Sequence, residues 1–157
     1  MLISSYNLYI AFWDNNNCVL YTSGVQEMTN GPETLLVILK HHGEIVGRKR
    51  FQKIVFLLER RHDLNFGYRF VPYYYGPYSK ALQLDIDLLN SMGFVEVHPT
   101  IPYPHTLTEK GVRKAQEIER EMDQNELRRL VSAVEGMREM STSELTSEAK
   151  SLMNSSY

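Results

Sequence analysis

From Gly31 onward, apolar residues return at intervals of three and four in blocks separated by glycine, proline and small polar residues, the rhythm of packed amphipathic helices. The first block, Leu35, Leu36, Ile38 and Leu39, is preceded by Asn30 or Gly31 as a cap, Pro32 at the first helical position and Glu33 in the first turn, and it stops at Gly43. A second helix is predicted from about Gly47 to Arg61, with Phe51, Ile54, Val55 and Leu58 on one face. Ser79 is placed to cap a third helix that runs to about Ser91 and ends at Gly93. Its polar residues occupy one arc, while Ala81, Leu82, Leu84, Ile86, Leu88, Leu89 and Met92 take the rest, so this helix is expected to be buried on most sides. Thr108 caps a fourth helix to about Met122. Asp123 or Asn125 leads into a fifth, whose stripe is Leu127, Leu130, Val131, Val134 and Met137. Ser141 with Glu144 forms a capping box ahead of Leu145, Ala149 and Leu152.

Other stretches follow a period of two or no period at all. Leu64 to Val71 alternates in part and reads as a short strand, followed by a turn signal at Gly76-Pro77. Phe94 to Val97 and Thr106 to Thr108 make two short strands around His98 to His105, a loop kept extended by Pro99, Pro102 and Pro104. Near the start, Leu8 to Trp13 and Cys18 to Tyr21 flank Asp14-Asn15-Asn16-Asn17, a hairpin or a loosely attached extension. The expected organisation is therefore an extension or hairpin over 1–27, a winged-helix-like domain over 28–122, and helices with a frayed Ser-rich tail over 123–157.

The order helix, helix, short strand, helix, two-stranded loop, helix is that of a winged helix-turn-helix. The fold class expected is mostly α with a small β wing, an α+β chain with extra C-terminal helices. A length of 157 residues suits one domain of roughly 100 to 200 residues. With 43% hydrophobic and 23% charged residues, disorder and rod-like folds are excluded. A single cysteine, Cys18, forms no internal disulfide, and no apolar run approaches the roughly 20 residues of a membrane span. A cytoplasmic protein is expected.

Charge changes the picture more through its placement than through its sum of -2. Between Lys40 and Arg61, seven cations (Lys40, Arg48, Lys49, Arg50, Lys53, Arg60, Arg61) stand against Glu44 and Glu59, a surplus of five, while the segments on either side are acidic. At about 100° per residue, Arg50, Lys53 and Arg61 form a stripe beside the apolar face of the second helix.

Gly47-Arg48-Lys49-Arg50-Phe51-Gln52-Lys53, then Gly76-Pro77-Tyr78-Ser79, Leu82, Asp85-Ile86, Leu89 and Gly93-Phe94-Val95 resemble the small prokaryotic YwgA-like proteins and, more distantly, the Panacea domains of SocA-like antitoxins. The likeness covers about residues 32 to 112. It implies a helical, wing-bearing domain and hands over no catalytic residue.

Arg48, Lys49, Arg50 and Lys53, with Lys80 and Gln83 on the third helix and His98 and His105 in the wing, can contact double-stranded DNA; a solvated charged face is the plainer reading. Asp87 on the third helix would repel phosphate. Asp85 projects into an apolar arc and needs a partner: Arg50 or Lys53, a hydroxyl among Tyr73 to Tyr75, or a helix N-terminus. A polar staple with Tyr75 between the second and third helices is expected rather than a catalytic carboxylate. The aromatics from Phe66 to Tyr78 fit part of an RNA-recognition strand, but Phe66, Arg69 and Pro72 break the consensus; packing at the helix junction is the alternative. His41, His42, His62, His98 and His105 contain no pair at i, i+4, and no serine-hydrolase, Walker or dinucleotide motif occurs. No catalytic residue, metal or cofactor is expected. The stripe over 127–137 is core or a homodimer seam. The leading expectation is a DNA-binding regulator; the second is a protein-interaction module of the antitoxin-adaptor kind.

Overall fold

The computed structural model describes residues 9–14, 17–22 and 31–155. Strands β1 (Tyr9–Asp14) and β2 (Asn17–Thr22) form an antiparallel hairpin, in register from Tyr9 opposite Thr22 to Asp14 opposite Asn17. Asn30, one of the two expected caps, lies outside the described residues.

Two helices make the centre. In α1 (Gly31–His42) the run Thr34 to Leu39 is entirely buried, enclosed by α3 (Lys80–Ser91), β7 (Pro104–Leu107), α4 (Glu109–Glu121) and α5 (Gln124–Arg138). A two-residue strand, β3 (Ile45–Val46), then leads through Gly47 into α2 (Arg48–Arg61), where every residue from Arg50 to Leu58 is buried. That continuous burial exceeds the one-sided stripe expected from sequence. The cause is tertiary: α5 (Gln124–Arg138) and α6 (Thr142–Asn154) both pack against α2 and cover the flank on which Arg50 and Lys53 project.

Residues 64–70 alternate as expected, with Leu64, Phe66, Tyr68 and Phe70 inward and Asn65, Gly67 and Arg69 outward, yet they pair with no strand among the described residues. Instead one carboxylate oxygen of Glu59 accepts from the backbone N–H of Phe66 at 3.2 Å and of Tyr68 at 3.1 Å. The ladder begins only at β4 (Val71–Tyr73), which pairs with β5 (Gly76–Tyr78). Tyr74 and Tyr75 make the turn, so Gly76-Pro77 lies within a strand rather than in a turn.

Ser79 caps α3 (Lys80–Ser91) by accepting from the Leu82 N–H at 3.3 Å. This helix is not buried on most sides. Only Leu82, Asp85, Ile86 and Leu89 face inward, and Leu84 is 57% exposed. Strands β6 (Val95–Val97) and β7 (Pro104–Leu107) join β3 in an antiparallel sheet of order β3-β7-β6, with His105 of β7 opposite both Ile45 and Val97.

Thr108 caps α4 (Glu109–Glu121) through the Gly111 N–H at 3.0 Å. Here glycine is required: a Cβ on Gly111 would stand 2.0 Å from the Phe94 carbonyl oxygen, so α4 can approach the start of β6 only without a side chain. Asp123 caps α5, and the Ser141–Glu144 box caps α6. The chain is thus mostly α with small antiparallel β elements, an α+β fold. Leu130, Val134 and Met137, the heart of the stripe read as a possible homodimer seam, are buried inside this chain, because α5 packs on α1 and α2. They are not available to a second copy. Among the described residues no helix is long and apolar enough to cross a membrane.

Candidate functional site

The two sequence motifs, roughly 80 Å of fully extended chain apart, meet in space at the N-terminal half of α2. Gln52 is buried and pairs twice with one residue: its side-chain carbonyl accepts from the Ser79 N–H at 2.8 Å, and its amide donates to the Ser79 carbonyl at 2.9 Å. The backbone of Ser79, at the start of α3, is thereby locked to α2 on both sides of its Cα. Gly76 holds φ at +113°, a conformation that suits only glycine, and β5 packs beside the Lys53 side chain. At the other end, Gly47 starts α2 with φ of +92°, and the Pro102 carbonyl oxygen of the wing loop lies 3.2 Å from where its Cβ would be. The wing loop and the β4–β5 hairpin therefore both flank the first turn of α2.

A cleft of about 250 Å³ lies between the start of α2, the β4–β5 hairpin and α3, lined by Arg48, Lys49, Tyr73, Tyr75, Tyr78 and Gln83 among others. The Lys49 ammonium sits 3.2 Å from the centre of the Tyr75 ring, a cation–π contact. Tyr73 lies between two rings, edge-on to Tyr74 with centres 5.1 Å apart and tilted against Tyr78 at 5.3 Å. The ion pairs of the described residues lie elsewhere: Lys40 and His41 on Glu119, Arg61 on Glu148, Lys114 on Glu117. Arg48 and Lys49 consequently offer positive charge that no carboxylate within the described chain neutralises.

The eight residues nominated for DNA divide sharply. Arg48, Lys49 and Lys80 are exposed, and Gln83 is half-buried at the cleft, where its amide donates to Asp87 at 3.0 Å. His98 is half-buried and bonds the Thr106 hydroxyl at 3.2 Å. Arg50, Lys53 and His105 are enclosed, and the reading of them as contact residues is corrected. Arg50 donates to the Met140 carbonyl at 2.8 Å, to the Met137 carbonyl at 3.3 Å and to the Thr142 hydroxyl at 3.4 Å, so it pairs the Met140 carbonyl just past the end of α5 and adds a donor to the Met137 carbonyl, which also accepts from the Met140 N–H. Lys53 is 4% exposed; burial lowers its pKa, and the cations Lys49, Lys150 and Arg50 lower it further. His105 is fully buried, edge-on to Phe51 at 5.6 Å, and burial pushes its pKa down.

Asp85 is buried in the apolar stripe as expected, but neither a cation nor Tyr75 meets it. The Tyr68 hydroxyl donates to its carboxylate at 2.7 Å. Burial raises the Asp85 pKa and the tyrosine bond partly offsets this. Tyr75 points outward, 60% exposed, as the platform for Lys49. Sequence reasoning treated the tyrosines as one group; the structure divides them into an internal Tyr68 and an external Tyr73 to Tyr75. The signal was the alternation itself, which carries Tyr68 inward in step with Leu64, Phe66 and Phe70. Among the described residues, no group of three or more His, Cys, Asp and Glu side chains is arranged to hold a metal.

No protein family model matches the chain, and no solved structure matches it. The chain is similar to the uncharacterized protein YwgA of Bacillus subtilis (strain 168), with 34% identity over 82 residues. That match covers 49% of this chain and 49% of YwgA, so the chain spans about half the length of the curated relative it matches.

Proposed function

We propose that the protein is a binding module that recognises a partner protein through the face built from the wing loop, the first turn of α2, the β4–β5 hairpin and α3. One observation carries this reading. Every large hydrophobic side chain that stands exposed among the described residues (Val46, Val71, Tyr73, Tyr74, Tyr75, Leu84, Ile101 and Tyr103) belongs to these elements or to β3 beside them. Exposed apolar residues gathered in this way mark interaction surfaces, and tyrosine with arginine is the composition of interface centres. The unneutralised Arg48 and Lys49 specify an acidic partner surface.

A second reading is a DNA-binding winged helix. It is supported by the sheet order β3-β7-β6 and by the helix order α1, α2, α3 before the wing. Against it, the outward face of α3 presents Leu84 and Asp87, and three of the eight nominated contacts are enclosed.

A photocrosslinking side chain placed at Tyr74, 86% exposed at the hairpin tip, tests both readings in the cell of origin, with Arg113 on the outer face of α4 as the control position. A discrete protein adduct at residue 74 and none at 113 is expected. A nucleic-acid adduct would replace the first reading by the second, and equal, diffuse labelling at both positions would overturn both.

A further inference from the structure

The far end of α2 carries a different surface. There α2, α5 and α6 enclose an open groove of about 620 Å³, a size typical of sites for small organic ligands. Its floor is apolar: Ala133, Met137 and Met140. Arg50 bonds the Met137 and Met140 carbonyls, so the floor is fixed before any ligand arrives. The walls carry Arg61, Arg128 and Arg129 against one acid, Glu148, which already pairs with Arg61. Arg128 and Arg129 have no carboxylate partner among the described residues.

Gly136 supplies a second, independent observation. It lies in the middle of α5, where glycine costs about 1 kcal/mol relative to alanine. No local geometry requires it, since its φ is not positive and a Cβ there would meet nothing within 4 Å. The space beside it is groove. A helix that keeps glycine next to vacant volume, between an apolar floor and unpaired arginines, leaves room for something the chain itself does not provide.

We infer that this groove binds a small amphiphilic carboxylate, with its head on Arg128 and Arg129 and its apolar body along Ala133, Met137 and Met140 past Gly136. The charge surplus selects the anion, and the floor selects the hydrocarbon. Beyond the Arg61–Glu148 pair a further cavity of about 360 Å³, reaching Ser151 and Leu152, gives a longer chain somewhere to go.

Titration calorimetry on the full chain tests this with octanoate as the probe, octanol as the uncharged body and acetate as the bare head. Octanoate should bind about tenfold more tightly than octanol, the equivalent of one good ionic contact of about 1.4 kcal/mol, and acetate should show no saturable binding. The variant Gly136→Leu fills the groove from an open helix position and should fold as well as the parent while losing octanoate. Arg128→Ala with Arg129→Ala should reduce octanoate affinity to that of octanol. Equal affinity for octanoate and octanol, or octanoate binding undiminished in Gly136→Leu, would overturn the inference. Binding to phosphatidylglycerol vesicles without binding of free octanoate would overturn it as well, by making the groove a membrane contact.

Discussion

Arg48 and Lys49 stand next to Arg50 and one turn from Lys53, yet the two pairs do opposite work. The outer pair borders the tyrosine cleft and meets no acid, while the inner pair is buried beneath α5, α6 and β5. The inner cation Arg50 completes the end of another helix, and its neighbour Gln52 locks the start of α3. A run of positive charge in a sequence is therefore not one feature. Which of its members hold the fold and which face a partner is decided by helices that arrive from elsewhere in the chain.

That contrast can be broken or sharpened by substitution. Arg50→Ala should have the largest effect, a loss of about 3 kcal/mol, because the carbonyls of Met137 and Met140 lose a charged donor in a buried setting. Urea unfolding measures it, and a loss under about 0.5 kcal/mol would place Arg50 with the outer residues. Gln52→Ala should cost about 2 kcal/mol by taking the acceptor from the buried Ser79 N–H and one of two donors from the Ser79 carbonyl, which keeps the Gln83 N–H. Asp85→Ala, which removes the acceptor of the 2.7 Å bond from Tyr68, should cost about 1 to 2 kcal/mol. Asp85→Asn should cost less than that, since it keeps an acceptor and removes a charge that burial already disfavours.

The interior should also respond to pH. Burial lowers the pKa values of His42 and His105, so the folded chain holds both neutral where the unfolded chain binds protons. The unfolded state then carries the greater number of protons, and stability rises with pH. Unfolding midpoints should fall as pH drops below the ordinary histidine value of about 6.5 toward the lower folded values. The raised carboxylates Asp85, Glu59 and Glu33 act with the opposite sign, favouring the fold as they protonate, in a more acidic window that begins near their folded values. A midpoint that climbs from about pH 7 to pH 6 would contradict the burial of the two histidines. Smallest of all, Arg48→Ala with Lys49→Ala should shift stability by about 0.5 kcal/mol or less, as expected of exposed positions.

Much of the framework was legible because local signals agreed with tertiary need. Ser79, Thr108, Asp123 and the Ser141–Glu144 box each cap the helix they announce, and Gly43 and Gly93 follow α1 and α3 with positive φ. What failed was non-local. The β4–β5 ladder spans two prolines that argue against a strand, and β3 is too short to show a period. The burial of Arg50 and Lys53 depends on α5 and α6, where the partners of Arg50 lie 87 to 92 residues further on, and nothing in the pattern of α2 announces that cover. Of the candidate site, Arg48, Lys49 and Gln83 were legible from charge and helix position. The outward turn of Tyr73 to Tyr75 was not, because tyrosine suits a core and an interface equally well.

The most direct test joins the two halves of the contrast in one measurement: adduct yield from the photocrosslinker at Tyr74, per folded molecule, in chains carrying Arg48→Glu with Lys49→Glu or carrying Arg50→Lys. The outer substitutions should abolish the adduct while the melting temperature holds, and the inner one should lower the melting temperature while the remaining folded chain still crosslinks. An adduct that survives reversal of both outer charges would show that the cleft at the start of α2 is not where the partner binds.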